Sequence, residues 1–127
     1  MSVKTFLTIN GVLAVLYGLA FVLMPASAVA LYGVAPEPRV DLNLQFFGSA
    51  LLAFGVVLWS AKDFRDLEAV RGVLIANVVA DLVGLLLNLW ATFQGLLNAV
   101  AWTSTIVYVL LLAGSLYFLV TGSRKAA

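Results

Sequence analysis

Four long apolar stretches occupy most of this 127-residue chain and limit what it can fold into. A helix that crosses the hydrocarbon core of a membrane needs about 20 mostly apolar residues, because each residue rises about 1.5 Å across a core of about 30 Å. The stretches that meet this requirement are Thr5–Met24, Leu42–Ala61, Gly72–Phe93 and Ala99–Val120. The sequence therefore predicts an all-α integral membrane protein, a four-helix bundle that forms a single domain over residues 1–127.

The composition is typical of a membrane protein and leaves little room for other classes. Hydrophobic residues make up 64% of the chain and charged residues 10%. The apolar stretches are continuous rather than alternating, which argues against membrane-spanning strands. The net charge of +1 gives no indication of a nucleic-acid partner. Membrane lipids are the partners that such apolar helices require.

Positive charge is unevenly distributed between the connections. With four spans, one side of the membrane carries Arg39, and the other carries Lys4, Lys62, Arg65, Arg71, Arg124 and Lys125. An excess of Lys and Arg in short loops marks the cytoplasmic side. We therefore expect both termini in the cytoplasm and a multi-pass protein of the bacterial inner membrane. The first apolar stretch is longer than the core of a signal peptide, about 7–15 residues, so we expect it to be retained as a span.

The connections predict one additional short helix. Pro25 and Gly33 suit the first turn and the end of a helix that would lie in the outer interface. It would serve as an ordinary connector or as a lid over an outward-facing cleft. Asp63 or Asp66 can cap the third span. The segment Gln94–Asn98 is short, so the third and fourth spans should form an antiparallel hairpin.

Cysteine and histidine are both absent. Their absence excludes thiolate chemistry, metal sites built from thiolates or imidazoles, and catalytic triads that need His or Cys. Every acidic residue except Asp81 lies in a connection, so no pair of carboxylates exists inside the membrane. The sequence therefore predicts no enzyme activity, no metal site and no cofactor.

Asp81 is the only charged residue between Arg71 and Arg124, and it lies in the middle of the third span. A carboxylate near the centre of a bilayer costs several kcal/mol unless it is paired, hydrogen-bonded or neutralised, so it marks a candidate functional site. Helical spacing places Asn77, Asp81 and Asn88 on one face. At matching depths, Asn10 of the first span and Tyr108 of the fourth extend this intramembrane polar stripe.

Small residues form a second row next to the polar stripe. Ala76, Ala80 and Gly84 recur every four residues on the third span, and Gly11 and Gly18 mark a close-packing side of the first. Small residues at such spacing let a second helix approach closely in a membrane. These faces should therefore contact protein rather than lipid.

Three interpretations of Asp81 follow from the residues alone. It can be structural, neutral or held by Asn and Tyr donors, and fix the register of the helices. It can be the site of a proton- or cation-coupled process, because a buried carboxyl group can bind and release a proton. It can instead face another subunit, a lipid head group or a pigment. A second chain could supply the basic partner that the spans of this chain lack.

The chain resembles two groups of small membrane proteins. The size and number of spans resemble those of the small multidrug resistance transporters, but their membrane carboxylate is a glutamate in the first helix, and Thr5–Met24 contains no acid. The Tyr32-Gly33-Val34 turn after a helix that starts with proline, and the segment Leu97–Trp102 that enters the last span, resemble uncharacterised small four-span bacterial membrane proteins. This second resemblance implies a fold and a bacterial origin, and it implies no activity.

The absence of reactive residue types and of soluble segments favours a non-enzymatic role. We expect an accessory or structural membrane subunit that associates with itself, as a homo-oligomer, or with a larger membrane complex. The first alternative is a small proton- or cation-coupled transporter that uses Asp81. The second alternative is a lipid- or pigment-binding membrane protein.

Overall fold

The computed structural model describes residues 1–125, and side chains as far as Gly122, as a set of helices. Their bounds are α1, Val3–Leu23; α2, Pro25–Leu31; α3, Pro38–Ala61; α4, Leu67–Phe93; and α5, Ala101–Lys125. In this described part, α1, α3, α4 and the stretch 101–122 of α5 are long and apolar enough to cross a membrane. The prediction of an all-helical protein with four candidate spans is confirmed, and the protein is of the multi-pass membrane type.

Capping residues explain why two spans begin earlier than their apolar stretches. The α3 helix begins at Pro38 rather than Leu42, because the side chain of Glu37 accepts a hydrogen bond from the Val40 amide at 3.3 Å. In α4, the carboxylate of Asp66 accepts one from the Glu68 amide at 3.0 Å. Polar caps thus extend both helices beyond the apolar segment that a membrane needs.

The connection between α1 and α3 contains the short helix α2. Pro25 occupies its first turn, and Gly33 follows it with a φ of +79°, a conformation that favours glycine. The side chain of Asn98, just before α5, donates to the Leu31 carbonyl at 2.9 Å. Its backbone amide donates to the Tyr32 carbonyl, also at 2.9 Å. The α2 helix is therefore tied to the start of α5.

The helices α1 and α3 pack on each other more closely than on the rest of the bundle. Glycines from both helices lie in this contact. A methyl group added at Gly18 would lie 2.9 Å from the carbonyl oxygen of Gly48, and one added at Gly11 would lie 3.2 Å from that of Gly55. The two backbones therefore approach with no room for side chains, as in other membrane helix pairs with small residues at their interface.

The helices α4 and α5 form the second close pair. They are joined by the turn that Gly95 permits with its φ of +74°, and they run antiparallel. Contacts between the two pairs concentrate at the end of the bundle that holds both chain termini, here called the terminal end. A buried cluster of side chains from the four long helices fills it: Phe6, Leu7, Leu58, Ala61, Val73 and Leu74, with Leu111 and Phe118 packed against them.

Candidate functional site

Away from the terminal end, the two helix pairs enclose a cavity of about 710 Å³. The four long helices line it, and Tyr32 and Leu97 approach it from the connections at the opposite end. This volume falls within the range of sites that hold small molecules, about 300–1,000 Å³. The space between the pairs is therefore the candidate site.

Each long helix presents one row of residues toward the cavity, at spacings of four, three and four. The rows are Asn10, Ala14, Tyr17 and Phe21 on α1; Phe47, Leu51, Phe54 and Leu58 on α3; Asn77, Asp81, Gly84 and Asn88 on α4; and Ser104, Tyr108, Leu111 and Ser115 on α5. All of them line the cavity except Leu58 and Ser115, which are fully buried at the terminal end of their rows. The α3 row is wholly apolar, whereas polar atoms come from the other three helices. The cavity is therefore amphipathic.

Cross-helix contacts show that the rows stack in levels. At the terminal end, Asn77 meets Ser115, and further along the bundle the ring of Tyr108 lies across Gly84. At the opposite end, the rings of Phe21 and Phe47 stack with centroids 5.7 Å apart. The Asn77 level forms the closed floor of the cavity, next to the apolar cluster of the terminal end.

Asp81 is held by a single side-chain amide. The Nδ2 atom of Asn77 donates to Asp81 Oδ2 and to Ser115 Oγ, both at 2.7 Å. Both amide protons of Asn77 are thus used. Asp81 is 6% exposed, and no Lys or Arg among the described residues lines the cavity. One neutral donor offsets only part of the cost of a charge in this setting. Asp81 therefore presents one of two groups to the cavity: a carboxylate, which is a strong hydrogen-bond acceptor, or a neutral carboxyl group, which can donate its proton. Neither form has a basic partner among the described residues that line the cavity.

Asn10 lies at the floor of the cavity on α1 and is 3% exposed. Its Nδ2 is buried and has no hydrogen-bond partner in the structure. A buried donor without a partner is rare and costs about 1–3 kcal/mol. The side-chain amide of Asn77 donates two hydrogen bonds, whereas that of Asn10 is a donor without a partner at the cavity.

The other two predicted polar residues also line the cavity, closer to its opposite end. Asn88 Nδ2 donates to the Ala101 carbonyl at 3.1 Å and to Thr105 Oγ1 at 2.8 Å, which joins α4 to α5. Tyr108 packs on Gly84, where an added methyl group would lie 2.5 Å from its Cε1 atom. The structure thus brings Asn10, Asn77, Asp81, Asn88 and Tyr108 to one cavity.

The predicted small-residue surfaces divide between two places. Gly11 and Gly18 lie in the contact of α1 with α3. On α4, Gly84 and Ala80 line the cavity, and Ala76 is exposed on the helix surface. The room beside Gly84 is occupied by Tyr108 of the same chain, so part of this row serves contacts within the chain.

Several cavity residues are not among the site residues predicted from the sequence. Tyr17 shares the α1 row with Asn10, and Ser104 shares the α5 row with Tyr108. The Tyr32 hydroxyl and Ser104 Oγ are hydrogen-bonded at the opposite end of the cavity. The repeated four-three-four spacing could have pointed to Tyr17, Ser104 and Ser115, since it matches the stripe on α4. No local signal pointed to Tyr32, because it reaches the cavity from a connection.

The cavity opens on one side of the bundle. Its most exposed lining side chains belong to α3 and α4: Phe47, Val79, Val83 and Leu87. The opening therefore lies where α3 and α4 face each other with few contacts. Because the outer surfaces of these helices are apolar, a molecule entering there would come from a hydrocarbon phase rather than from water.

No family model, curated protein or solved structure matches this chain. Function is therefore inferred from the chemistry of the cavity.

Proposed function

We propose that this protein binds a lipophilic small molecule within the membrane, in the cavity between its two helix pairs. The supporting observation is a cavity of about 710 Å³ with an apolar wall on α3 and buried polar groups at its floor. Sites for small molecules combine such apolar walls with a few placed polar groups. Of the three functions considered from the sequence, lipid or pigment binding fits this geometry best.

The proposal includes an orientation in the membrane. An excess of basic residues at the terminal end supports a cytoplasmic location for both termini, in the bacterial inner membrane. The floor of the cavity would then lie toward the cytoplasm and α2 in the outer interface. The opening between α3 and α4 would give a molecule in the bilayer lateral access.

Binding without catalysis is the role that the residues support. Asp81 is the only acidic side chain lining the cavity among the described residues. General acid and base catalysis relies most often on His, and also on Asp, Glu, Lys, Tyr or Cys side chains placed within hydrogen-bond reach of the reacting group. With one carboxyl group and no His or Cys in the sequence, the cavity is better suited to recognising a molecule than to transforming it.

The accessory-subunit hypothesis has weaker support from the geometry. Besides the absence of reactive residue types and soluble segments, it rests on small-residue surfaces such as the row Ala76, Ala80 and Gly84, and two of these three residues line the cavity of the same chain. Ala76 is exposed and stays available to a second copy or to a larger complex. Association with itself is therefore compatible with ligand binding, and it is not required to explain the small residues.

A coupled transporter is the second candidate, and one observation favours it. Each helix pair is closely packed, whereas contacts between the pairs are few outside the terminal end. Two rigid pairs around a site with a carboxyl group could rock and change the access to that site. Asp81→Asn should then abolish coupled uptake into proteoliposomes. Unchanged uptake with this variant would refute the transporter hypothesis.

Photolabelling of the cavity tests the binding proposal. The chain in phosphatidylcholine nanodiscs would be irradiated with dodecane that carries a diazirine in its chain. We expect saturable labelling of cavity residues such as Leu51 and Leu87, which excess dodecane suppresses. Labelling of exposed residues outside the cavity, such as Leu110, should rise linearly with probe concentration and resist competition.

A pair of tryptophan variants provides the control. Ala80→Trp should fill the cavity and remove the saturable labelling, whereas Ala76→Trp, one turn away and outside the cavity lining, should preserve it. Circular dichroism would verify that both variants remain helical. If wild-type labelling of the cavity is not saturable, or if Ala80→Trp leaves it intact, the proposed function is wrong.

A further inference from the structure

Two polar groups at the cavity floor have bonding capacity that the chain itself does not use. Asn10 Nδ2 is a buried donor without a partner. Asp81, one helical turn above Asn77, accepts from that residue, whose two amide protons are both used. A donor and an acceptor therefore face the same closed end of one cavity, from α1 and α4.

We propose that the ligand carries an uncharged hydroxyl group at the end that reaches this floor. Its oxygen accepts a hydrogen bond from Asn10 Nδ2, and its proton is donated to the carboxyl group of Asp81. This inference rests on the proposed function and specifies the chemical class of ligand, a lipophilic alcohol. A hydroxyl group is the smallest group that both accepts and donates.

Charged head groups fit the floor less well. An ammonium group has no lone pair for Asn10 and would leave its donor unsatisfied. A phosphate or carboxylate would place a second anionic group beside Asp81, with no Lys or Arg among the described residues that line the cavity. A pure hydrocarbon would leave Asn10 without a partner. The uncharged alcohol satisfies the donor and adds no charge to an apolar site.

The rest of the cavity suits the body of such a molecule. From the floor toward the opposite end, the wall on α3 consists of Phe54, Leu51 and Phe47, and Leu87 of α4 faces the same space. These side chains offer no hydrogen bonds, so an alkyl or ring system would lie against them. The molecule would therefore point its hydroxyl toward the terminal end and its hydrocarbon toward the opposite end.

Three photoactivatable probes of equal chain length separate these head groups. They are dodecanol, dodecylamine and dodecane, each with a diazirine at the same chain position, tested on the full chain in phosphatidylcholine nanodiscs. The measurement is the probe concentration that half-saturates cavity labelling. We expect dodecanol to half-saturate at a concentration at least roughly three- to tenfold below dodecane, the effect of a single net hydrogen bond. Dodecylamine should show no advantage over dodecane.

Asn10→Leu tests the assigned donor, and Asn43→Leu is its matched control. Asn43 is exposed on α3 and does not line the cavity, so the same chemical change there should leave all three probes unaffected. Asn10→Leu should lower the preference for dodecanol over dodecane by roughly three- to tenfold, the effect of the hydrogen bond from Asn10, and leave saturable labelling by dodecane in place. The thermal unfolding midpoint of each variant would show that it remains folded.

The outcomes distinguish this inference from the proposed function. Equal half-saturation by dodecanol and dodecane, with saturable labelling by both, would overturn the hydroxyl assignment and leave the cavity a binding site. Tightest binding of dodecylamine would overturn it in favour of a cationic ligand on Asp81. An undiminished dodecanol preference in Asn10→Leu would also overturn it. Absence of saturable labelling with every probe would refute the proposed function itself.

Discussion

The two helix pairs of this protein are held together by different interactions. The helices α1 and α3 meet through glycines, with Gly18 opposite Gly48 and Gly11 beside Gly55. The helices α4 and α5 meet through side-chain hydrogen bonds, from Asn77 to Ser115 and from Asn88 to the start of α5. The first pair thus relies on close backbone approach and the second on polar side chains.

Both interactions are known solutions to the same physical problem. Lipid tails are as apolar as leucine side chains, so burial of apolar surface does little to drive helices together inside a membrane. Dispersion contacts between closely approaching backbones, or hydrogen bonds that avoid unsatisfied polar groups, must supply the attraction. In this protein each pair uses mainly one of them.

Among the described residues, neither interaction joins the two pairs in the middle of the bundle, and this explains the position of the cavity. The glycine contacts of α1 face α3, and the amides of Asn77 and Asn88 are directed at α5. Between the pairs, large apolar side chains close the terminal end, and the Tyr32–Ser104 hydrogen bond and the contacts of Asn98 link the opposite end. The middle of the bundle is left open. Asn10, whose Nδ2 has no hydrogen-bond partner, and Asp81, which accepts from Asn77, both line this open middle.

The largest effect should come from a bulky residue in the glycine contact. Gly18→Leu places a side chain where a methyl group would already lie 2.9 Å from the Gly48 carbonyl oxygen and 3.0 Å from the Leu52 amide. Both neighbours are backbone atoms that cannot rotate away. We expect a loss of about 3 kcal/mol or more in the free energy of unfolding, measured by thermal or denaturant unfolding in detergent.

Gly72 provides the control for that variant. It lies in α4, and a methyl group added there would meet nothing within 4 Å. Gly72→Leu should therefore be neutral, or stabilising by about 1 kcal/mol through helix propensity. If both variants changed stability equally, the close approach of α1 and α3 would not be the interaction that holds this pair.

A smaller loss is expected when the polar contact of the second pair is removed. Asn77→Leu deletes the hydrogen bonds to Asp81 and Ser115, which should cost about 1–3 kcal/mol because buried polar groups lose their partner. The double variant with Ser115→Ala, measured by the same unfolding experiment, separates the two bonds. Additive losses in this double-mutant cycle would show that Asn77 and Ser115 do not interact energetically.

Asn10 should respond in the opposite direction from Asn77, although the substitution is the same. Asn10 Nδ2 has no hydrogen-bond partner within the protein, so Asn10→Leu removes a desolvated donor and should stabilise the fold by about 1 kcal/mol. The readout is the unfolding midpoint after delipidation. A loss of stability comparable to that of Asn77→Leu would identify Asn10 as a structural residue and contradict its assignment to a ligand.

Much of the fold could be predicted from the sequence because membrane spans depend on local composition. The four spans follow from apolar length, and the contact between Asn77 and Asp81 follows from helical spacing alone. The α2 helix follows from Pro25 and Gly33. These features involve residues close together in the chain, where geometry is set by the helix itself.

The cavity could not be predicted in the same way. It depends on which helices pair with each other. Gly48 and Gly55 of α3 allow the close contact with α1, but a glycine has no side chain that would indicate which helix it contacts. The spacing of Gly48 and Gly55 equals that of Gly11 and Gly18, a match that could have suggested the α1–α3 contact. Whether Asn10 finds a partner depends on the positions of other helices, so its unmet donor is visible only in three dimensions.

The smallest predicted effect concerns the connection between the pairs, at Asp63. The Asp63 carboxylate accepts a hydrogen bond from Lys62 at 2.6 Å and lies 3.4 Å from Lys4 at the start of α1. The hydrogen bond from Lys62, together with the nearby charges, holds the pKa of the Asp63 carboxyl group below its usual value. A lowered pKa in the folded state means that the stabilisation is present above the pKa of the unfolded chain and is lost as the pH falls through the folded value.

We therefore expect Asp63→Asn to lower the unfolding midpoint slightly at pH 7 and to have no effect at a pH below the folded pKa of Asp63. High salt should weaken the difference, because the pair is exposed and screened. Lys4→Gln should give the same pH dependence with a smaller amplitude, since Lys62 is the stronger partner. A difference between wild type and Asp63→Asn that grows toward low pH would contradict this sign, and it would mean that Asp63 does not link α1 to the connection that precedes α4.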